Sequence, residues 1–176
     1  MALRYFLRRR IQRHIQGAKT PVLQTLDEAD SLIIITQVQG NEAVILLNRL
    51  QGRFPQATDI ALINLNKEKK LTVLRDGHRT LIETGTNNLT FFGGLSSSLY
   101  ELIKDLGTSV LINTDNGSAD LLHLIAANIH AGLKCGMHNP FELPLYNPLI
   151  TPETNQTPEE FIETVNAYMK SLTGKK

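Results

Sequence analysis

Apolar and polar positions change period several times along the chain. Leu3, Leu7, Ile11 and Ile15 recur every fourth residue. That spacing drifts only about 40° per step around a helix axis and predicts a helix within residues 1–18. Arg10 falls inside its apolar arc and Arg4 at its edge. Beyond Pro21 the pattern becomes regular. Ser31–Val38 is a continuous β-branched run (SLIIITQV), as expected of a strand covered on both faces. Glu42–Leu50 then takes up helical spacing through Ala43, Val44, Leu46, Leu47 and Leu50. Asn41 serves as its N-cap, and Gly52 and Pro55 end it. Asp59–Leu65 and Leu71–Arg75 read as strands joined by a charged turn, Asn66–Lys70. Residues 76–88 lack periodicity and read as a loop or edge hairpin.

The second half alternates in the same way. Leu89–Phe92 reads as a short strand. Ser97–Leu106 reads as a helix with Leu99, Leu102, Ile103 and Leu106 on one face and Gly107 as its stop. Ser109–Asn113 is a strand, Thr114–Ser118 a polar turn, Ala119–His130 a helix and Ala131–Met137 a last strand. Residues 139–152 hold Pro140, Pro144, Pro148 and Pro152 and read as irregular. The final helix opens on Thr157, Pro158 and Glu160, which spell a capping box, and carries Phe161, Val165, Tyr168 and Leu172 on one face. Strands alternating with helices predict an α/β fold: a single Rossmann-like or flavodoxin-like three-layer domain with a mostly parallel sheet. A basic N-terminal helix precedes it and an amphipathic helix closes it. The division is a basic arm over residues 1–20 and one α/β domain over 21–176.

Composition sharpens this picture in one respect. The 176 residues suffice for one ordinary domain, and 41% hydrophobic with 20% charged residues is a globular mixture. The net charge of +1 looks featureless, but residues 1–20 hold Arg4, Arg8, Arg9, Arg10, Arg13 and Lys19 and no acid. From Asp27 onward, 12 basic residues face 17 acidic ones. A +6 arm therefore precedes a −5 body. The arm reads either as a docking helix for an anionic partner (a membrane surface, RNA or an acidic protein) or as a solvated lead-in helix. It also shares the Arg-rich, acid-free composition of a transit peptide. No apolar run reaches the ~20 residues of a membrane-spanning helix, and a cytoplasmic location is expected. Aromatic residues make up 6% and are not interleaved with the basic ones, which leaves sequence-specific RNA readout without support.

Candidate chemistry lies at the loops that enter helices, where open α/β sheets bind ligands. Gln39–Glu42, Gly93–Ser98 and Thr114–Asp120 are expected at one edge. Gly93, Gly94, Ser96 and Ser97, with Asp115, Asn116, Gly117 and Ser118, form the candidate ligand-binding set for a phosphorylated small molecule or nucleotide. Arg4, Arg8, Arg9, Arg10 and Arg13 form the candidate anionic-surface contact. The alternative for each loop is turn and cap chemistry alone, and for Asp120 a simple helix-dipole role. His123 and His130 fall on one predicted helix, about two turns apart, too far for one metal. The single Cys135 excludes an internal disulfide framework and reads as a core residue, and its pairing with His138 lacks zinc spacing. No metal set, cofactor motif or catalytic constellation is legible, so the reading leans to a non-enzymatic binding or adaptor protein. An enzyme or sensor taking a phosphorylated ligand at 93–98 and 114–118 is the alternative, and an oligomer built on the last helix is a third reading.

Residues 89–150 resemble the core of a bacterial domain-of-unknown-function family of about this length. The strand and polar turn at Leu111–Asp115, the helix ending near Ala131, and Lys134, Gly136, Tyr146, Asn147 and Ile150 carry the likeness. It implies the same architecture and a bacterial, cytoplasmic setting, with no catalytic residues to transfer. Residues 114–132 are also similar, at the level of fold, to the C-terminal, donor-side half of heptosyltransferase-like glycosyltransferases. Gly117, Ser118 and Ala119 stand where those enzymes carry a small residue, Pro and His.

Overall fold

In a computed structural model, residues 2–15, 23–66, 70–90, 93–115, 120–137, 144–151 and 156–174 are described, with side chains from Tyr5 onward. The chain runs α1 (Ala2–Ile15), β1 (Ser31–Thr36), α2 (Glu42–Arg53), β2 (Asp59–Leu65), β3 (Thr72–Asp76) and β4 (Arg79–Thr84). It continues through α3 (Ser97–Ile103), β5 (Gly107–Asn113), α4 (Asp120–Asn128), β6 (His130–Gly136) and α5 (Pro158–Thr173). The six strands form one sheet in the order β3-β4-β2-β1-β5-β6. Every pairing is parallel except that of β3 with β4.

The unbroken apolar run of β1 exists because both faces of the sheet are covered. Ile33 and Ile35 point into a core shared with Leu7 and Ile11 of α1, Leu99 and Ile103 of α3 and the apolar residues of α4. Leu32 and Ile34 point into a second core with Ala43, Leu46, Leu47 and Leu50 of α2, Phe54, and Phe161, Val165 and Met169 of α5. α2 therefore leaves β1 toward one face, whereas α4 leaves β5 toward the other. The crossovers reverse direction between β1 and β5, which are hydrogen-bonded neighbours. That is where a crevice forms at the carboxyl edge of such sheets.

Several elements differ from the sequence reading, each for a tertiary reason. The edge-hairpin alternative for residues 76–88 holds, since β3 and β4 pair antiparallel at the sheet edge, but the hairpin begins within β3 and its second strand, β4, is interior, between β3 and β2. Of the predicted strand Leu89–Phe92, residues 91–92 lie outside the described residues, and Leu89 makes an isolated bridge to Leu95. Gly107 opens β5 instead of stopping α3, because it pairs with His130. His130 accordingly belongs to β6, and α4 ends at Asn128, whose side-chain amide donates to the Leu124 carbonyl at 2.8 Å. α2 runs past Gly52 to Arg53, and the Asn41 side chain makes no cap bond. The Glu42 carboxylate accepts from the Gln39 backbone N–H instead, at 3.3 Å. The capping box of α5 is present, with Thr157 N–H donating to Glu160 at 2.7 Å. Its buried face is Phe161, Ile162, Val165, Asn166 and Met169, however, and Tyr168 and Leu172 face solvent.

Candidate functional site

Among the described residues, two places gather the side chains that the sequence singles out. The first is the carboxyl edge of the sheet. Asp115 directly follows β5 and is buried, with its backbone N–H donating to Asn113 Oδ1 at 3.0 Å. Its carboxylate stands 3.5 Å from Nε2 of His123, one turn into α4. The other ring nitrogen, Nδ1, lies 2.8 Å from the Tyr146 hydroxyl, to which Asn113 Nδ2 donates at 2.6 Å. Burial raises the Tyr146 hydroxyl well above the ordinary tyrosine range, which keeps it protonated; the Asn113 bond opposes this and Asp115 reinforces it. Nearby, Thr114 Oγ1 donates to Thr36 Oγ1 at 2.9 Å. Asn64 accepts from the Val38 N–H and donates to its carbonyl. At the described edge, Thr114 thus ties β5 to Thr36 of β1, and Asn64 ties β2 to the backbone that follows β1.

The Tyr146 ring reaches this position because residue 136 has no side chain. A Cβ on Gly136 would stand 2.7 Å from the ring. Replacing Gly136 by alanine should therefore displace Tyr146 and cost about 1–3 kcal/mol of stability. Chemical denaturation read by circular dichroism checks this. An unchanged midpoint would mean that the ring does not pack there.

The second place is a groove of about 360 Å³ between α1, α3 and α4. Arg10, His14, Gly94, Ser97, Tyr100, Glu101 and Asn128 are the lining residues that matter. α1 is oriented by its fully buried Leu7 and Ile11. At about 100° per residue, Tyr5, Phe6, Arg9 and Arg13 then share the arc opposite that stripe. Arg10 and His14 flank the stripe on the groove side, and Arg8 flanks it on the other. Arg8, Arg9, Arg10 and Arg13 are all exposed, and among the described residues no carboxylate pairs with them. The Arg4 side chain lies outside the described set.

Gly93 adopts φ +67°, a left-handed conformation that favours glycine. The space over it is taken by Leu7 and Phe6 of α1. A Cβ on Gly94 would lie 3.2 Å from the Arg10 guanidinium, so the missing side chain lets the arginine rest on the backbone. Ser96 caps α3, accepting from Leu99 N–H at 3.3 Å and donating to Asn88 Oδ1 at 2.8 Å. Ser97 lines the groove. Gly94 and Ser97 are therefore brought together with Arg10 and His14, while Asp115 sits with His123 at the carboxyl edge. Asn116, Gly117 and Ser118 lie outside the described residues. Sequence reading did not pair Asp115 with His123 and Tyr146, or His14 with Arg10 and Gly94.

Charge around the groove is basic. His14 is lowered from its ordinary value by burial first, then by Lys134, Arg10 and His130. Behind it, Lys134 Nζ donates to the Ala126 carbonyl at 2.7 Å, closing the last turn of α4. Burial pulls the Lys134 ammonium down from 10.5 to about 8. Between those values the unfolded chain holds this proton more tightly than the native one, so the contribution of Lys134 to stability grows with rising pH. Wild type should gain on Lys134→Met as pH rises from 8 to 10.5 in urea titrations. A constant difference would contradict the buried placement.

The opposite face is neutralised. Asp27 receives Lys170 at 2.6 Å and Arg53 at 3.1 Å, Glu163 receives Arg53 at 2.7 Å, and Glu159 receives Arg49 at 2.8 Å. Burial would raise the Asp27 carboxyl, but Lys170, Asn166 and Arg53 outweigh it and hold the group below its ordinary value. Cys135 is buried and its thiol is pushed up to about 12, so it carries no thiolate at neutral pH. Among the described residues, no three His, Cys, Asp or Glu side chains gather as a metal site, and no helix is long and apolar enough to cross a membrane. Comparison with family models, curated proteins and solved structures finds no match for the chain.

Proposed function

We propose that this chain is a non-enzymatic α/β binding or adaptor module whose α1 docks it on an anionic lipid surface. The observation that carries this reading is the outward face of α1. Arg9 and Arg13 stand beside exposed Tyr5 and Phe6, and no described carboxylate neutralises the arginines. Because Leu7 and Ile11 are buried, the helix offers this face as a fixed plate. Each Arg near an anionic leaflet contributes about 1 kcal/mol, and aromatic rings favour the headgroup level. The ion-paired acids of α5 and of residue 27 lie on the other side of the sheet and face away from such a surface. The fold is read as a Rossmann-like or flavodoxin-like three-layer domain with a cytoplasmic setting. The resemblance to a bacterial domain-of-unknown-function family, with a fold-level likeness to heptosyltransferase-like glycosyltransferases, stays part of this reading.

A cosedimentation assay tests it. The full chain should pellet with vesicles of phosphatidylglycerol and phosphatidylcholine but not with phosphatidylcholine alone, and binding should weaken as salt rises. Equal binding to both vesicles, or to neither, overturns the reading. Retention by RNA or an acidic polypeptide without vesicle binding transfers the arm to that class of partner.

A further inference from the structure

We propose that the groove between α1, α3 and α4 seats a phosphomonoester group, with Arg10 as its charge partner and Ser97, Tyr100 and Asn128 as neutral hydrogen-bonding groups around it. The inference rests on the anionic-partner reading of α1, though not on that partner being a lipid. Three observations converge. First, the groove has room for a phosphorylated small molecule or headgroup, at about 360 Å³. Second, Arg10 is drawn into its wall, because Gly94 has no side chain. The guanidinium lies 3.2 Å from where a Cβ would be, beside Thr90 Oγ1, which itself accepts from Gly94 N–H at 2.9 Å. A planar guanidinium that rests on the Gly94 backbone, with no carboxylate partner among the described residues, suits a phosphate. Third, the charge that the described residues place around the groove is mostly cationic. Arg10 and His14 come from α1, and Lys134 and His130 act on His14 from β6. Among the described lining residues the one carboxylate, Glu101 of α3, is ion-paired with Lys104.

His14 gives the site a readout of its own. Burial first, and then its cationic neighbours, hold it below the ordinary histidine value, which favours the neutral ring near pH 7. A bound dianion would supply the opposite charge and draw a proton back to the ring. Gly94 is a positioning residue here: it acts through Arg10.

The test follows the His14 ring by NMR, assigned with His14→Gln, while inorganic phosphate or glucose 6-phosphate is added against chloride of equal ionic strength. The His14 midpoint should rise with either phosphate and stay put in chloride. Arg10→Gln should weaken the apparent affinity by about tenfold. Arg9→Gln with Arg13→Gln should leave the effect intact. For the lipid source, vesicles with phosphatidic acid, a monoester, should bind more tightly than phosphatidylglycerol vesicles of matched charge. That preference should vanish in Arg10→Gln. If phosphate leaves His14 unmoved while anionic vesicles still bind, the groove site is wrong and the docking reading survives. If phosphate moves His14 but no vesicle binds, the groove takes a soluble phosphomonoester and lipid docking is wrong. Equal shifts in phosphate and chloride reduce the groove to general ionic screening and overturn the proposal.

Discussion

Replacing Ile11 by alanine should lower the unfolding free energy by about 2–5 kcal/mol, the range for a large aliphatic side chain removed from a packed core. Ile11 is fully buried in a cluster with Leu7 and the apolar residues of α4, although it belongs to the most basic stretch of the chain. A loosely attached arm would behave differently. Its apolar residues would be wet in both states, and their truncation would change stability by a few tenths of a kcal/mol at most. Denaturant titration separates the two. A drop in midpoint with unchanged slope means that α1 is part of the cooperative unit. A separate, early transition confined to helical signal would mean that α1 unfolds on its own.

The second large effect concerns binding. Arg9→Gln together with Arg13→Gln should reduce partitioning onto phosphatidylglycerol vesicles by about thirtyfold. That figure follows from about 1 kcal/mol per arginine near the surface and tenfold per 1.4 kcal/mol. Both side chains are exposed, so the double variant should keep the wild-type denaturation midpoint. Arg49→Gln with Arg53→Gln provides the contrast. It also removes two cations, but these already neutralise Glu159, Glu163 and Asp27 on the other face. Its vesicle binding should stay near that of wild type, even though its net charge falls by the same amount. Equal losses in both double variants would mean that net charge alone governs association, with no role for the α1 face.

Much of the fold was legible because its strongest signals are local. The β-branched runs of β1, β2 and β5 declare a sheet covered on both faces, and the Thr157–Glu160 capping box marks the start of α5. What was not legible depends on distant partners. Nothing between Ala119 and His130 stops a helix in local terms. It stops because His130 pairs with Gly107 and because Asn128 and Lys134 satisfy the last carbonyls of α4. β4 reads as polar, since its Arg, Thr and Glu residues mask a strand that is interior to the sheet. Tyr168 and Leu172 continue a helical spacing that the core does not use. The same division holds for the sites. The basic arm is a local feature and was visible. The groove joins residues 10 and 14 to 94, 97 and 128, and the buried polar cluster joins residue 115 to 123 and 146. Neither combination can be read from spacing along one element.

The absence of tryptophan from the chain makes one measurement especially direct. Tyr5→Trp places a lone reporter on the outward face of α1, at a position 61% exposed. Tyr168→Trp places one on α5, across the sheet, at a position 42% exposed. On adding phosphatidylglycerol-containing vesicles, the emission of the Tyr5→Trp protein should shift to the blue and be quenched by brominated lipid. The Tyr168→Trp protein should respond to neither. Equal responses from the two reporters, a response from residue 168 alone, or silence from both would contradict docking through α1.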